Sequence, residues 1–565
     1  MSYVFGIFKT LVAELPRLGT AGSRSASLHE GQAPQDVELT RSRVITMASG
    51  MDLLPVSRKD SLTFAEISRF AALRWLGTIG SLMLGLGALG AGALPVIDNP
   101  YTEFPGGSIM GRMLQTSSVV VLVGVGFFVV AWVLMAPFVG IGSSKSVSVS
   151  MLRRTFIAWT APLLFTAPLF TQDIYSYLAQ GSIATQGMDP YSAGPIDLLG
   201  PNNVLARSVP YIWSHSPSPY GPVALGLAAA VSWLTQDSIV WGVLAHRALS
   251  IMGLIAVGWS LVKLARRCDV NVQAALWLGL LNPLTLLHLV GGIHNEAIML
   301  GFIMVGLEFG LRAVDWISIL GYSRRATLYL VSSGVCISCA GLVKVTGFLA
   351  LGFIGMALAR GLHYRRWPRI RALATSVAIQ AAVLVSTVAV VTMVTGIGLG
   401  WITGQGGAAK IRSWMSITTD IGVASGALGM YLGLGDHTDA ILLVTRGIGM
   451  LVAGSFLLRM LFATFRGTIH PVGGLGVATL VLVILFPVVH PWYVLWAIVP
   501  LAAWANRQLF RTPAIVYCSF MSFFVLPRGL ALQPGTVFSI YLASLLCFIA
   551  ALAVLWLFLR RRVHL

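Results

Sequence analysis

The sequence predicts an all-α integral membrane protein with about fourteen transmembrane helices. Of its 565 residues, 56% are hydrophobic and only 10% are charged, and its mean hydropathy is +0.82. A soluble fold could not bury this much apolar surface, whereas a bilayer leaves it in lipid. The net charge is +18, and the basic residues lie in short clusters between apolar segments, such as those at 263–267, 365–371 and 560–562. This pattern is typical of the cytoplasmic loops of a plasma-membrane protein, and it argues against a nucleic-acid partner.

The N-terminal part divides into a tail and two leading spans. Residues 1–70 have a mixed composition with Ser, Arg and Gly runs, and they are predicted to form a cytoplasmic, partly disordered tail. Residues 71–142 contain two Gly-rich apolar segments, about 71–97 and 116–141, which are suited to close helix packing. A basic loop follows, so the next span, about 155–170, is expected to end on the extracytoplasmic face.

A polar, Pro-rich loop is predicted over residues 171–239, and it is long enough to contain interfacial helices. Its apolar segment 220–235 could cross the membrane, but a crossing there would place the basic cluster 263–267 outside. We therefore expect 220–235 to lie along the outer interface and 240–264 to cross inward. This loop belongs to a catalytic membrane core assigned to residues 143–370.

The remaining apolar segments complete the predicted crossings and place both termini in the cytoplasm. Residues 371–565 are expected to form a C-terminal membrane region that completes the pocket of this core. These further predicted spans are, by residue number, about 272–291, 296–319, 327–342, 347–360, 371–395, 440–460, 473–489, 491–505, 513–525 and 536–559.

Asp173 is the first candidate for chemistry. It lies where an apolar span ends and the outer loop begins, and Tyr175, Tyr177 and Gln180 follow it, with Asp189 further along. A carboxylate at the end of a membrane helix, facing aromatic and amide groups, suits proton abstraction from a sugar hydroxyl. The structural alternative is an aspartate that caps the next helix.

The turn at 291–296 is the second candidate. It joins two predicted spans at the outer face and ends in His294, Asn295 and Glu296. Together these side chains can form hydrogen bonds to a sugar. The alternative is that Asn295 or Glu296 caps the span that follows.

Two more positions could contribute charge or aromatic contacts. Lys344 lies between two short apolar runs, where it needs an anionic partner or must extend to the outer interface. His490, Trp492 and Tyr493 lie at another outer turn. The aromatic pair is also what an interfacial belt contains, so only His490 adds a functional signal there.

At these residues the sequence resembles a known family. The Lys344 segment, Tyr220-Gly221-Pro222 and an acid that closes a span before a Tyr-rich loop are similar to the GT-C superfamily of lipid-linked glycosyltransferases, over about residues 150–360. The chain looks more specifically like the MptA/MptB type of alpha-1,6-mannosyltransferase of mycobacteria and corynebacteria, and like MptB in preference. The motifs that carry this closer resemblance are the ten residues 172–181 (Gln-Asp-Ile-Tyr-Ser-Tyr-Leu-Ala-Gln-Gly), Gly187-Met188-Asp189-Pro190-Tyr191, His294-Asn295-Glu296 and His490-Pro491-Trp492-Tyr493.

The resemblance implies a GT-C fold, a donor and an acceptor. The donor would be polyprenyl-phosphate-mannose, and the acceptor would be a lipid-linked mannan or a phosphatidylinositol mannoside in the lipomannan and lipoarabinomannan core. Asp173 would be the general base. Because polyprenyl phosphate leaves as a stable anion, one base suffices, and a beta-linked donor would give an alpha product by inversion.

The other candidate residues have two expected roles. Lys344 and His490 are expected to neutralise the phosphate, with Arg412 and Arg207 as alternatives in looser loops. Contacts to mannose or to the acceptor are expected from Tyr175, Tyr177, Gln180, Asp189, His294, Asn295, Glu296, Trp492 and Tyr493.

No cofactor is expected. The outer loops contain neither an Asp-x-Asp site nor a His pair at metal-ligand spacing, and the cytoplasmic loops lack a nucleotide-sugar or Walker-type motif. Two alternative functions stay open. One is a GT-C transferase of another sugar, such as arabinose, glucose or aminoarabinose. The other is a flippase or transporter of polyprenyl-linked sugars, which would have an inverted repeat and charges deep in the bundle.

Overall fold

The computed structural model describes residues 28–29, 62–143, 145–404, 411–529 and 532–563. These residues form helices, with one isolated bridge between Val139 and Ser146 and no strand, which confirms the all-α class. In chain order the helices are α1 Phe64–Ala91, α2 Gly107–Met110, α3 Leu114–Leu134, α4 Val149–Leu164, α5 Asp173–Thr185, α6 Pro195–Leu199, α7 Val204–Ser208, α8 Tyr211–Ser214, α9 Pro222–Thr235, α10 Ile239–Arg267, α11 Val272–Gly279, α12 Glu296–Leu320, α13 Arg324–Val343, α14 Leu349–Tyr364, α15 Arg369–Thr395, α16 Ile417–Tyr431, α17 Thr438–Arg466, α18 Pro471–Leu485, α19 Leu495–Trp504, α20 Gln508–Met521 and α21 Pro534–Val563.

Nine helical segments in the described part of the chain are long and apolar enough to cross a membrane. They are α1, α3, α10, α12, α13, α15, α17 and α21, together with the segment 345–364, which contains α14. The sequence predicted about fourteen crossings because it counted every apolar run. One such run, 272–291, is divided into α11 and a π-helix, Thr285–Gly291. Pro283 lies between the two, and proline interrupts a regular helix because it has no N–H to donate.

The start of one helix and the existence of another differ from the spans expected from the sequence. Helix α1 begins at Phe64, before the predicted end of the tail at residue 70, because Thr63 and Glu66 form a capping box. Helix α16 was missed, since glycine, serine and threonine dilute its apolar pattern, and its start is fixed by the Ser416 hydroxyl, which accepts from the Thr419 amide. Of the predicted tail over residues 1–70, the structure describes only 28–29 and 62–70, and the expectation of disorder otherwise lies outside the described residues.

The leading helices are packed into the core. The Trp159 indole of α4 donates to the Arg74 carbonyl of α1 at 2.9 Å, and the Ser81 hydroxyl donates to the Trp159 carbonyl at 2.5 Å. Trp132 of α3 and Trp277 of α11 stack at 4.5 Å, and the indole N–H of each donates to the carbonyl of the other. Both leading helices are therefore hydrogen-bonded to the helices around the candidate site.

The chain after α1 also supports the start of α5. The Tyr175 hydroxyl donates to the Ala93 carbonyl at 2.7 Å, and the Gln172 amide donates to the Leu94 carbonyl at 3.3 Å. Asp173 is the first residue of α5, so these two hydrogen bonds hold the segment around Asp173 against the chain that follows α1. The loop predicted over 171–239 is helical from α5 to α9, and α9, with 14 residues, is too short for a full crossing of about 20 residues.

Candidate active site

Helix α5 presents one polar face to a cavity. Asp173, Ser176, Tyr177 and Gln180 all line this cavity. Their spacing of three, four and seven residues places them on one side of the helix. A sharp turn precedes α5, because Phe170 has a left-handed φ of +71° and its amide donates to the Pro527 carbonyl at 2.7 Å. The Asp173 side chain is 27% exposed, so its carboxylate is accessible from the cavity.

A second turn brings His294 to Asp173. The turn contains Ile293 at a left-handed φ of +58°, directly before His294. His294 Nδ1 lies 3.5 Å from Asp173 Oδ2, and the imidazole stacks on the Trp492 ring at 4.0 Å. The His294 side chain is buried. The predicted turn at 291–296 therefore does face the Asp173 loop.

Lys344 finds the anionic partner that its position required. Its Nζ donates to Glu296 Oε1 at 2.7 Å and to the Tyr493 hydroxyl at 3.1 Å. The same ammonium lies 4.3 Å from the Tyr493 ring centroid and 4.9 Å from that of Trp496, both within the range of cation–π attraction. Lys344 is the C-cap residue of α13, and its backbone amide donates to the Ala340 carbonyl, so the cation is fixed at a helix end.

The cavity between these segments has a volume of about 530 Å³. Its polar lining comes from α5, the turn before α12, the end of α13 and the turn before α19. Its lining from α17 and α18 contains no polar side chain, and we call these residues the apolar wall: Met450, Ala453, Gly454, Leu457, Ala478 and Leu482.

The protonation states at the site follow from burial. Burial, and then the neighbouring Glu296 charge, raise the pKa of Asp173 to about 6, against the opposing effect of Lys344. Burial lowers the pKa of His294 to about 3, so its contact with Asp173 is not an ion pair. Burial and Lys344 lower the pKa of His490 to about 4. Without a bound phosphate, His490 therefore offers a neutral imidazole at neutral pH, and its role as a phosphate ligand stays a prediction.

Several predicted site residues line the cavity. Among them are Tyr177, whose hydroxyl lies 3.3 Å from that of Tyr220, and Gln180, whose carbonyl oxygen accepts from Ser218. His490 stacks on Trp492 at 4.7 Å. The predicted residues that the cavity brings together are Asp173, Tyr177, Gln180, His294, Glu296, Lys344, His490, Trp492 and Tyr493.

Five predicted residues do not line the cavity. The Tyr175 side chain is buried and donates to Ala93, and Asn295 is buried at the N-cap position of α12. Asp189 is exposed and accepts from the Tyr191 amide, which makes it a turn residue. Arg207 is exposed in the last turn of α7, and Arg412 forms an exposed ion pair with Asp439 at 2.9 Å.

Sequence reasoning also missed lining residues. Trp213 and Tyr220 come from the loop between α5 and α9, and Trp496 comes from α19. Trp496 is four residues after Trp492, a spacing that places it on the same helical face and could have identified it. The apolar wall carried no signal, because its residues resemble those of any lipid-facing helix.

These features define a class of protein. The chain is an all-α membrane protein, and one cavity collects a carboxylate, a lysine and several aromatic rings beside an apolar wall. This combination of a carboxylate, a cation and an apolar surface indicates a membrane glycosyltransferase.

Comparison with known proteins gives the family. Residues 74–360 match the model of the alpha-(1→6)-mannopyranosyltransferase N-terminal domain, and residues 418–553 match the MptB C-terminal domain. The chain belongs to this family of alpha-(1→6)-mannopyranosyltransferases and is a glycosyltransferase enzyme. The resemblance found in the sequence is thereby confirmed.

Three relatives show the extent of the similarity. The chain is 62% identical over 553 residues to alpha-(1→6)-mannopyranosyltransferase B of Corynebacterium glutamicum, covering 97% of this chain and 92% of that protein. It is 40% identical to a probable alpha-(1→6)-mannopyranosyltransferase of Mycolicibacterium smegmatis, over 88% of this chain and 90% of the relative. It is 38% identical to an alpha-(1→6)-mannopyranosyltransferase of Mycobacterium tuberculosis, over 80% and 82% of the two chains. No solved structure matches the chain.

Proposed function

We propose that the enzyme transfers mannose from polyprenyl-phosphate-mannose to O6 of a lipid-linked mannan or a phosphatidylinositol mannoside, forming an alpha-1,6 link of the lipomannan and lipoarabinomannan core. The names of the relatives support the sugar and the linkage. The observation that carries the proposal is that Asp173 and Lys344 line one cavity together with the apolar wall. A base, a cation and an apolar surface are what the transfer of a lipid-phosphate sugar requires.

The proposed reaction is a single displacement at the anomeric carbon. The acceptor O6 forms a bond to this carbon while the bond to the phosphate oxygen breaks, and the electron pair of that bond leaves with the phosphate. Asp173 accepts the proton from O6. The leaving group needs no proton, because polyprenyl phosphate is a stable anion, so one carboxylate suffices and the configuration inverts.

Lys344 is the proposed phosphate ligand. In the absence of substrate its charge is balanced by Glu296 at 2.7 Å. Three ammonium protons allow Lys344 to keep Glu296 as a partner and still donate to a phosphate oxygen. In a site shielded from water, such a fixed cation stabilises the negative charge that develops on the leaving group.

The apolar wall is the proposed binding surface for the prenyl chain. Its residues come from α17 and α18, and Met450 of α17 is 40% exposed on the surface of the bundle. A prenyl chain there would stay in an apolar environment while its phosphate faces Lys344. We assign the acceptor to the opposite lining, formed by the polar face of α5 with Trp213 and Tyr220, because the base must contact the incoming hydroxyl and not the leaving group.

We further propose that the reaction needs no metal or other cofactor, and that it takes place at the extracytoplasmic face of the plasma membrane with both termini in the cytoplasm. The donor then arrives already attached to its lipid. Membrane lipids surround the helices, and nucleic acid is not a partner.

The proposed function is tested with purified protein and labelled donors. We expect transfer from polyprenyl-phosphate-mannose to a synthetic mannoside acceptor, in the presence of EDTA, with an alpha-1,6 product by NMR. GDP-mannose and polyprenyl-phosphate arabinose, glucose and aminoarabinose are the comparison donors. Preferred transfer of arabinose, glucose or aminoarabinose would replace mannose as the proposed sugar. Preferred transfer from GDP-mannose would replace the lipid-linked donor. Movement of the lipid donor across vesicles without acceptor or product would favour a flippase.

The pH dependence of the reaction is expected to report on Asp173. Its pKa of about 6 means that the free enzyme loses its base as the pH falls through about 6. The value of kcat/KM should therefore be constant above pH 7 and should fall about tenfold per pH unit below pH 6. Donor binding, measured separately over the same range, controls for loss of affinity. If kcat/KM began to fall only near pH 4, this would contradict the influence of burial and Glu296 on the pKa of this carboxylate.

A further inference from the structure

Arg247 is a buried cation that the proposed reaction does not use. It lies within the membrane helix α10, and only 1% of it is exposed. Among the described residues no carboxylate forms an ion pair with it. Its guanidinium instead donates to three backbone carbonyls: Nε to Val290 at 3.1 Å, and Nη1 to Leu164 at 2.9 Å and to Thr166 at 2.7 Å. A charge at such depth is costly and calls for an explanation.

The three carbonyls belong to the two segments that carry the site. Leu164 ends α4, and Thr166 lies seven residues before Asp173. Val290 lies in the π-helix that leads to His294 and Glu296. One direct bond also joins the two segments, from the Leu169 amide to the Gly291 carbonyl at 3.0 Å.

Both segments contain a bulky residue in a conformation that favours glycine. Phe170 has φ of +71° and Ile293 has φ of +58°. Such residues persist only where the surrounding structure holds them, and they concentrate at functional sites. Each stands a few residues before a side chain that lines the cavity, so the strained turns define the direction from which Asp173 and His294 approach each other.

We propose that Arg247 is a positioning residue that holds the Asp173 segment against the His294–Glu296 segment and so sets the placement of the carboxylate. The flat guanidinium can donate to several carbonyls in fixed directions, which a lysine cannot do. This inference rests on the proposed role of Asp173 as base, but not on the identity of the sugar.

The test is the activity and pH profile of Arg247→Lys and Arg247→Met in the full-length enzyme. We expect kcat to fall about 100-fold for Arg247→Met, since a displacement of about 1 Å suffices for such a loss. For Arg247→Lys we expect a smaller fall of kcat. The donor KM should change little in both variants. The acid limb should move to lower pH, because the pKa of Asp173 is raised by burial and by Glu296, which would both weaken if the segments separated. The other titratable groups that face Asp173 are His294, Lys344, Tyr177, Tyr220 and Tyr493.

A second variant tests the same inference if Arg247→Met does not fold. Gly529 has φ of +67°, and an added Cβ would lie 2.3 Å from the Phe170 carbonyl oxygen and 3.0 Å from the Thr171 Cα. Gly529→Ala should therefore displace the Asp173 segment from the other side and give the same shift of the acid limb. Arg267→Met is the matched control, because Arg267 lies at the far end of α10 and pairs with Asp315 and Glu308.

The possible outcomes separate this inference from the proposed function. The positioning role would be overturned if Arg247→Met had a near-normal kcat and an unshifted acid limb of the pH profile. If the methionine variant is unfolded, the same result in Arg247→Lys and Gly529→Ala would overturn it. An equal loss per folded molecule in Arg267→Met would overturn it as well. If the unchanged enzyme itself transfers no sugar from a lipid-phosphate donor, the proposed function fails instead.

Discussion

Asp173→Asn is expected to lower the transfer rate by roughly 100- to 10,000-fold, the usual contribution of a positioned general base. Asparagine has nearly the same shape as aspartate but cannot accept the proton of the attacking hydroxyl. Asp173 is the first residue of α5, and its carboxylate lies 3.5 Å from His294 Nδ1, a contact that an asparagine oxygen can keep, so the change should leave the fold intact. The measurement is single-turnover transfer from labelled polyprenyl-phosphate-mannose, with donor affinity determined in parallel.

Asp189→Asn is the matched control for this variant. Asp189 lies in the same loop and is exposed, outside the cavity. It should retain nearly full activity. Unreduced turnover in Asp173→Asn, or an equal loss in both variants, would remove Asp173 from the reaction.

Lys344→Met is expected to lower the transfer rate by roughly 100- to 1,000-fold, because it removes the cation that we propose as the ligand of the leaving phosphate. It also leaves Glu296 buried without its partner at 2.7 Å. Loss of one member of a buried ion pair typically destabilises the fold by about 3 kcal/mol. Activity and stability therefore have to be separated.

The double variant Lys344→Met with Glu296→Gln separates them. Removing both charges should recover most of the lost stability, seen as a thermal transition near that of the unchanged enzyme, while activity stays low. Recovery of activity together with stability would mean that Lys344 serves only to neutralise Glu296. Lys145→Met is a suitable control, because Lys145 and Glu66 form a partly exposed pair at 3.1 Å. Its loss should destabilise the fold by less than about 1 kcal/mol and should not lower activity.

The sequence identified those site residues that differ sharply from their surroundings. Asp173, Glu296 and Lys344 are charged groups at the ends of apolar segments, where a charge without a role would be costly. Their convergence on one cavity could be expected from the order of the predicted spans and from the family resemblance.

The other features of the site depend on contacts between residues distant in sequence, which the sequence alone could not predict. Arg412 is a cation in an outer loop by any sequence criterion, and only the structure shows that it pairs with Asp439. Tyr175 follows Asp173 by two residues, yet the turn of α5 points it at Ala93 and away from the cavity. The neutral state of His490 depends on burial and on the nearby Lys344 charge, neither of which a single sequence reveals.

The bonds that join the leading helices to the core bear on how far this enzyme can be shortened. A version starting at residue 143 would retain every cavity residue, but the Tyr175 hydroxyl and the Gln172 amide would lose their acceptors, and Trp277 would lose its stacked partner. The smallest autonomous unit therefore includes α1 and α3. Any minimal enzyme designed around this site should begin no later than Thr63, where the capping box of α1 is formed.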